Sequence, residues 1–330
     1  MNSRNTVTSG FFLIFLLTSL LTTPGSAQVK ELKANFIHPP DAYKPGVYWY
    51  FMDGNMSAET ITKDLESMKK AGIGNLIFLE VNVGVPRGPV DFLSDQWIPL
   101  FKHAEMEARR LGIEITLGIG PGWTGSGGPW VKARQSMQHL VSSQVTVSAD
   151  HPQKIVLPLP SPKKPFFGDG SLTPEFKKEW NSYYQDVAVL AFPLTEQIGT
   201  IDDYEEKALY YRAPYSSGAV KPYLPSPSAS SVKNNRTIDK SKIIDLTNKM
   251  QADGTLNWSP PSGKWVIMRF VSRNNGAITR PAPVPGLGFE SDKFDTAALN
   301  SHLDAYVGKL LKVIGKTANT SSGGLKRLHK

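Results

Sequence analysis

The chain has 330 residues, of which 40% are hydrophobic and 20% are charged, and it contains no cysteine. This composition excludes a disordered chain and a disulfide framework, and the length predicts two domains or one large domain with an insertion. The formal charge of +8 is spread among acidic residues and forms no basic stripe, so nucleic acid is not expected as a partner. The six histidines lack metal-ligand spacing, so we predict no metal site from them.

The N-terminus has the order of features that is typical of a secretory signal peptide. Arg4 precedes the apolar run from Phe11 to Leu21, and small residues follow as far as Ala27. We therefore predict that residues 1–27 form a signal peptide cut after Ala27, and that the mature protein is secreted or periplasmic. A stable membrane span would need about 20 apolar residues, more than this run offers, so we expect none in the mature protein. The alternative to cleavage is that the run is retained as a membrane anchor.

Three segments beyond a proline-containing linker at residues 28–46 have the composition of strands. Val47 to Met52 is rich in aromatic and β-branched residues. Asn75 to Val81 and Ile113 to Ile119 are apolar runs bounded by glycines, which is typical of strands buried on both faces.

Two helices are predicted between these strands. Ser57 and Ser94 have the side chains of N-caps, and Gly72 and Gly112 follow the apolar stripes as C-terminal stops. The alternation of strands and helices predicts an α/β fold. Its spacing suits the N-terminal part of a (β/α)8 barrel of the TIM type, with residues 47–138 as the first βα units.

The pattern changes after about residue 138. Residues 139–275 contain short β runs separated by proline-rich connections, which predicts a β-rich, sandwich-like insertion. Serine, proline and lysine dominate residues 213–235, so we predict a mobile loop there. The predicted β runs are Val145 to Val147, Ile155 to Leu157, Val187 to Phe192, Ile243 to Leu246 and Trp265 to Val271.

Residues 276–330 are predicted to return to the barrel. A helical period resumes at Asp295 and ends at Gly315, and Leu325 to His329 would begin a fourth strand. The predicted apolar face of this helix comprises Leu299, Leu303, Tyr306, Leu310 and Val313.

The segment from Gly120 to Gly128 holds five glycines, a proline and a tryptophan in nine residues. It follows a strand end, where α/β folds bind ligands, and its backbone is open to close approach; a tight turn without a ligand is the alternative. The segment also matches the dinucleotide pattern G-x-G-x-x-G. Pro121, the bulk of Trp123 and the absence of a following helix start all oppose phosphate binding, so no nucleotide cofactor is expected.

Four motifs give the chain a resemblance to glycoside hydrolase family 106, the α-L-rhamnosidases, from about Phe36 to His329. They are GIGPGWTGSGGPW (118–130), TRPAPVPGLGFE (279–290), AGIG (71–74) and GKWVIMRF (263–270). The resemblance implies an interrupted barrel, a carbohydrate substrate and calcium-assisted inverting hydrolysis of rhamnosides. Because relatives continue beyond the position of Leu328, it also implies a truncated fragment. A non-catalytic glycan-binding module is the alternative.

Three acidic residues are weak candidates for the two carboxyl groups that glycoside hydrolysis requires. Asp53 and Glu80 stand at the carboxyl ends of the first two strands, and Glu290 lies in the segment that leads back from the insertion. Structural alternatives exist for all three: an Asx turn at Asp53, an ion pair between Glu80 and Arg87, and a solvated loop charge at Glu290. The true catalytic residues are expected to lie beyond Lys330.

Five residues are candidates for substrate contacts. Trp123 lies in a loop without apolar neighbours, which favours ligand contact, and Trp130 and Trp49 could also present flat faces to a sugar. For Trp49, inside a buried strand, core packing is favoured. Asn82 follows the second strand, and Arg280 could donate hydrogen bonds to sugar hydroxyls or form a surface salt bridge.

Overall fold

The computed structural model describes residues 25–40, 43–151, 154–165, 170, 172–194, 238–315 and 322–330. The predicted signal run from Phe11 to Leu21 and the loop predicted at residues 213–235 lie outside the described residues. Among the residues that are described, no helix is both long and apolar enough to cross a membrane.

The described residues form a mixed α/β structure that divides into two compact units. Among the described residues, the first unit comprises those of 25–125, 281–285 and 307–330, and the second comprises those of 126–280 and 286–306. In chain order the strands are β1 (Gly46–Met52), β2 (Asn75–Val81), β3 (Glu114–Gly118), β4 (Gln138–Ser148), β5 (Ile155–Val156), β6 (Tyr184–Pro193), β7 (Ile244–Asp245), β8 (Thr255–Leu256), β9 (Lys264–Asn274) and β10 (Gly324–His329).

The α-helices show where the predicted caps lie. Ser57 accepts the Thr60 N–H through its hydroxyl (3.2 Å), and Gly72 follows the helix with a left-handed φ of +81°. Ser94 accepts the Trp97 N–H in the same way, although the helix itself starts only at Trp97. The helices are α1 (Gly25–Ile37), α2 (Ala58–Lys70), α3 (Trp97–Leu111), α4 (Pro174–Ser182), α5 (Thr296–Leu303) and α6 (Lys309–Ile314).

Two of these helices differ from the sequence expectations. Helix α1 covers the end of the predicted signal peptide and much of the predicted linker, and its side chains are exposed from Gln28 onward. Helix α4 lies inside the segment predicted as β-rich. Thr173 caps it by accepting the Phe176 N–H (3.3 Å), and Pro174 occupies the first turn, where no intrahelical N–H is needed.

The first unit contains a four-stranded, wholly parallel sheet in the order β1-β2-β3-β10. The three strands predicted near the start of the fold are therefore confirmed, and so is the strand at Leu325 to His329. A run of parallel strands with helices between them is what the barrel prediction requires of this part. The closure of a barrel stays a prediction.

One face of the parallel sheet is covered by α2 and α3. Phe78 projects from β2 against the rings of Trp97 and Phe101 of α3, which stack on each other at 5.5 Å. Trp49 of β1 lies on the same side, since its indole N–H donates to Asp64 of α2 (3.0 Å). Burial of each such ring contributes about 2 kcal/mol, so this layer fixes the sheet on its helices.

The second unit is built on an antiparallel sheet in the order β4-β9-β6-β7, with β5 and β8 as a separate pair. All five predicted β runs coincide with strands of this unit. A buried arginine connects its strands: Arg269 of β9 donates to Asp186 of β6 (2.7 Å), whose side chain is 30% exposed, and to the Leu157 carbonyl (3.0 Å). That this unit is an insertion into a barrel stays a prediction.

The predicted apolar face of the last helical segment is wrong in its first half. Leu299 and Leu303 are only half-buried. The buried positions are Ala298, His302, Tyr306, Val307 and Leu310. The reason is a π-helical turn at Asp304–Gly308 between α5 and α6. Its wider turn accommodates one extra residue, which moves the buried face back by one position before the turn.

Candidate functional site

A cleft of about 300 Å³ opens on the face of the parallel sheet opposite the helices, towards the carboxyl ends of the strands. Strand side chains form its floor, and the glycine-rich loop and the end of β10 form its sides. Among the described residues that line it, none is acidic. The lining consists of Tyr48, Tyr50, Leu79, Gly118, Gly122, Trp123, Gly125, His329 and Lys330.

Strand β1 supplies an aromatic wall because its side chains alternate between the two faces of the sheet. Trp49 and Phe51 point to the helices, and Tyr48 and Tyr50 point to the cleft. The two tyrosine rings stack with centroids 5.4 Å apart and planes only 2° from parallel. Because Tyr48 is 56% exposed and Tyr50 is 36% exposed, they offer solvent a flat apolar surface with two hydroxyl groups.

The glycine-rich loop supplies the most exposed ring of the cleft. The Gly122 N–H donates to the Glu80 carbonyl (2.8 Å), which ties the loop to the end of β2. Gly122 and Gly125 have φ values of +78° and +67°, a region that glycine adopts without strain. Between them Trp123 is held 59% exposed at the cleft. Its large apolar ring is thus displayed by a loop that is anchored at Gly122.

The end of β10 supplies the basic groups of the cleft. The Ile119 N–H donates to the His329 carbonyl (3.0 Å), so the chain beyond β3 runs alongside β10. The His329 ring meets the Tyr48 ring edge-on, with centroids 6.5 Å apart. Lys330 follows beside the loop, since its Cα would lie 3.7 Å from a β-carbon placed on Gly125. An imidazole and an ammonium group therefore border the aromatic wall.

The floor of the cleft is closely packed around the glycine at the end of β3. A β-carbon at position 118 would lie 2.1 Å from Cδ2 of Leu79, far inside van der Waals contact. Any larger residue at Gly118 would therefore push the Leu79 side chain out of its position. The start of the motif at 118–130 is explained by this close approach.

Glu80 ends β2 with its side chain on the helix side of the sheet and does not line the cleft. It is 2% exposed, and it accepts a hydrogen bond from the indole N–H of Trp97. Burial raises the pKa of Glu80 to about 8, against the opposing effect of the Trp97 hydrogen bond. Glu80 is not paired with Arg87, which instead contacts Asp91. At neutral pH its carboxyl group is therefore protonated.

Asp53 lies at the turn that follows β1. It is buried, has a left-handed φ of +49°, and its backbone holds the turn: its N–H donates to the Val81 carbonyl (2.8 Å) and its carbonyl accepts the Gly88 N–H (2.8 Å). Its charge adds to the rise in the pKa of Glu80. The two predicted carboxylates are thus neighbours at the ends of β1 and β2, beneath the sheet surface.

The third predicted carboxylate, Glu290, belongs to the second unit and is not a solvated loop charge. It is 5% exposed, accepts a hydrogen bond from the Ser126 hydroxyl, and forms an ion pair with Lys293 (3.1 Å). Main-chain bridging between Gly127 and Glu290 adds to this arrangement. Glu290 therefore joins two distant segments of the second unit.

The remaining predicted contact residues are dispersed. Trp49 is buried under α2, in accord with the packing role that its strand position favoured. Asn82 accepts the Gly84 N–H (3.0 Å) and shapes the turn after β2. Trp130, in the second unit, donates to His302 Nδ1 (3.0 Å) and stacks on Tyr306. Arg280 is half-buried in the second unit. Of the predicted contact residues, the cleft contains Trp123.

Sequence reasoning missed Tyr48, Tyr50, His329 and Lys330. The signal for the tyrosines was present in VYWYFM, where the alternation of a strand places Tyr48 and Tyr50 together on the face opposite Trp49. His329 and Lys330 could not be placed from local pattern, because their position depends on the pairing of β10 with β3.

Calcium was expected from the resemblance alone. Among the described residues, no group of three histidine or acidic side chains comes together in a way that could hold a metal ion. Glu80 at the end of β2 is engaged with Trp97, and Asp91, in the connection after β2, is engaged with Arg87. We assign no calcium ligand among the described residues, and calcium stays an expectation from the resemblance.

The parallel sheet, its helices and the cleft at the strand ends define a class of α/β proteins that bind ligands at this edge. Residues 37–328 match the model of the glycoside hydrolase 106 family, described as α-L-rhamnosidase. The chain therefore belongs to this family.

Two similar proteins show how far the similarity extends in identity and in length. A protein of Formosa agariphila with a provisional assignment as a β-glucuronidase is 35% identical over 294 residues, which cover 89% of this chain and 23% of that protein. The structure of a rhamnosidase from Novosphingobium sp. PP1Y aligns with a TM-score of 0.61 and 25% identity, over 86% of this chain and 38% of the other. The chain thus spans less than half the length of either relative.

Proposed function

We propose that the chain forms the sugar-binding part of an exported glycoside hydrolase that removes terminal rhamnose, or a similar sugar, from plant-type glycans. The observation that carries the proposal is the exposed Trp123 beside the stacked pair of Tyr48 and Tyr50. The faces of pyranose rings carry C–H groups that pack on aromatic rings, while hydroxyl groups around the ring edge need polar partners. The cleft offers both kinds of group.

The predicted (β/α)8 barrel fold supports this proposal. In a (β/α)8 barrel the inner face of the sheet and the loops after the strands surround the substrate. The cleft occupies that face of the four parallel strands, with the glycine-rich loop following β3. We propose that these strands are part of such a barrel and that the antiparallel unit is inserted between β3 and β10.

The first test measures sugar binding by the full chain. Methyl α-L-rhamnoside is titrated against the protein and followed by ligand-observed NMR, with Trp123→Ala and Trp130→Ala as the compared variants. We expect Trp123→Ala to weaken binding at least tenfold, since a stacked aromatic ring contributes about 1.5 kcal/mol or more to the contact. Trp130→Ala, tested where it folds, should leave binding unchanged. Absence of any binding by the wild-type chain would refute the proposal.

A non-catalytic glycan-binding module is the second candidate. It is favoured by one observation: the described lining of the cleft contains no aspartate or glutamate side chain, whereas hydrolysis needs two carboxyl groups, about 5–10 Å apart. Turnover of an aryl α-L-rhamnoside separates the candidates. Hydrolysis that Glu80→Gln or Asp53→Asn abolishes would assign catalysis to this chain. Binding without turnover, with activity gained only when further coding sequence is added, would place the catalytic pair elsewhere.

Export is tested separately. Expression in a bacterial host followed by intact-mass analysis of the periplasmic or secreted protein should give a chain beginning at Gln28, as expected for cleavage after Ala27. A product that retains Arg4 would contradict the proposed signal cleavage without bearing on the sugar site.

A further inference from the structure

We propose that the cleft of the first unit takes a sugar that carries a carboxylate, a uronate, with Lys330 and His329 as the groups that recognise it. This inference rests on the proposed function, because it concerns the same cleft. It starts from the chemistry of the lining: three aromatic rings, two nitrogen bases and, among the described residues, no acidic side chain.

The position of the two bases argues for an anionic partner. The pairing of β10 with β3 ends at His329↔Gly118 and brings His329 to the cleft. Lys330 follows directly after β10 and lines the same cleft. His329 is half-buried against Tyr48 with its ring edge-on, while Lys330 is exposed beside Gly125. An ammonium group at the rim of an apolar wall is a donor with full positive charge, and a carboxylate accepts hydrogen bonds from it more strongly than a neutral hydroxyl does.

The aromatic wall fixes the orientation of such a sugar. A pyranose ring stacked on Tyr48 and Tyr50, or on Trp123, holds its ring substituents in the plane of the ring edge. A carboxylate at C5 of a uronate therefore projects sideways from the stack, towards the rim where the bases stand. A neutral sugar satisfies the rings equally well but leaves the ammonium group with water as its partner. The bases thus distinguish sugars that the rings do not.

The test compares two ligands that differ in this group alone: methyl β-D-glucuronide, with a carboxylate at C5, and methyl β-D-glucoside, with a hydroxymethyl group there. Both are titrated against the full chain at low ionic strength by ligand-observed NMR. One charge-assisted hydrogen bond corresponds to about tenfold in affinity, so the glucuronide should bind about ten times more tightly. Added salt should reduce this preference, since exposed charges are screened.

Variants assign the preference to its residues. Lys330→Met should lower the preference for the glucuronide to about threefold or less, with the affinity for the glucoside falling by a smaller factor than the affinity for the glucuronide. His329→Gln should have a smaller effect of the same kind. Lys312→Met, the same substitution on α6 away from the lining, is the matched control. Extending the chain by two glycines moves the terminal carboxylate away from the Lys330 ammonium group and should preserve or increase the preference.

Two outcomes overturn the inference in distinguishable ways. Equal affinity for the two glycosides, or a preference that survives in both Lys330→Met and His329→Gln, refutes the uronate assignment and leaves the sugar cleft intact if Trp123→Ala still weakens binding. Failure of glucuronide, glucoside and methyl α-L-rhamnoside to bind at all refutes the inference together with the proposed function.

Discussion

The two units of this protein use the same kinds of residue for opposite purposes. In the parallel unit, Tyr48, Tyr50 and Trp123 turn their rings towards solvent around a cleft. In the antiparallel unit, Trp130 is enclosed by Tyr306 and His302. Both tryptophans belong to one glycine-rich motif, seven residues apart. The difference teaches that a motif marks an unusual backbone, and that each of its side chains needs its own contacts before it is assigned a role.

Two buried glutamates, Glu290 and Glu80, also differ in the contacts that accommodate their carboxyl groups. Glu290 in the antiparallel unit has a cation, Lys293, within 3.1 Å. Glu80 in the parallel unit faces the Trp97 indole and two further carboxylates, Asp53 and Asp91, and burial raises its pKa to about 8. The carboxylate of Glu290 is stabilised by an ion pair, whereas burial favours the protonated form of Glu80.

The largest expected effect is a loss of folding stability as pH rises, which follows from the raised pKa of Glu80. Below about pH 4.5, Glu80 is protonated in both the folded and the unfolded chain, so its environment costs nothing. Between pH 4.5 and 8 the unfolded chain releases the proton and the folded chain keeps it, so stability falls as pH rises and levels off above pH 8. A rise of this size corresponds to a loss of up to about 5 kcal/mol.

Glu80→Gln should remove this loss, since the amide oxygen can still accept the Trp97 N–H. Urea unfolding followed by tryptophan fluorescence should show the variant close to wild type at pH 4.5 and more stable at pH 8.5. Glu59→Gln, on the exposed surface of α2, reports what the same substitution does away from the core. Parallel pH profiles for wild type and Glu80→Gln would show that Glu80 is ionised in the folded protein.

A second comparison sets the partly buried ion pair between Arg269 and Asp186 in the antiparallel unit against an exposed pair of the parallel unit. Asp186→Ala leaves the buried Arg269 guanidinium without its carboxylate, and we expect a loss of about 2 kcal/mol, reduced by the partial exposure of Asp186. Glu59→Ala breaks the exposed pair with Lys63 and should cost less than about 0.5 kcal/mol.

Hydrogen exchange measured by mass spectrometry separates these two effects by region. Asp186→Ala should accelerate exchange in peptides from β6 and β9, which the pair connects, and Glu59→Ala should change exchange only in α2. A cost for Asp186→Ala no greater than that for Glu59→Ala would mean that the Arg269 guanidinium is satisfied by its other acceptor, the Leu157 carbonyl.

Much of the secondary structure could be predicted because its signals are local. The strands at Val47 and Asn75 follow from apolar runs, and the ends of α2 and α3 follow from Gly72 and Gly112, whose left-handed φ values only glycine adopts easily. Helix α4 also had a local signal, Thr173 before Pro174, which was hidden by the strand-like segments on either side.

The site could be predicted only in part, because its contacts join residues far apart in the chain. The contact of Tyr48 with His329 in the cleft leaves no trace in either local pattern. The same holds for the predicted carboxylates that lie outside the cleft, since Glu290 pairs with Ser126 across 164 residues. The predicted apolar face of α5 was wrong for a different reason. A regular period was extended through the π-turn at Asp304–Gly308, where the helix does not keep that period.

The smallest expected effect is the sharpest test of the contrast between the two tryptophans. Trp130→Phe keeps an aromatic ring against Tyr306 but removes the N–H that donates to His302, so we expect a loss of about 1 kcal/mol in stability and no change in sugar affinity. Trp123→Phe removes part of an exposed ring, so stability should stay within about 0.5 kcal/mol while sugar affinity falls two- to threefold. Urea unfolding and NMR titration of both variants measure the four quantities. The substitution is the same in both variants, so their effects can be compared directly. A loss of sugar affinity in Trp130→Phe would mean that the second unit contacts the sugar. Unchanged affinity in both Trp123→Phe and Trp123→Ala would mean that Trp123 does not contact the sugar in the cleft.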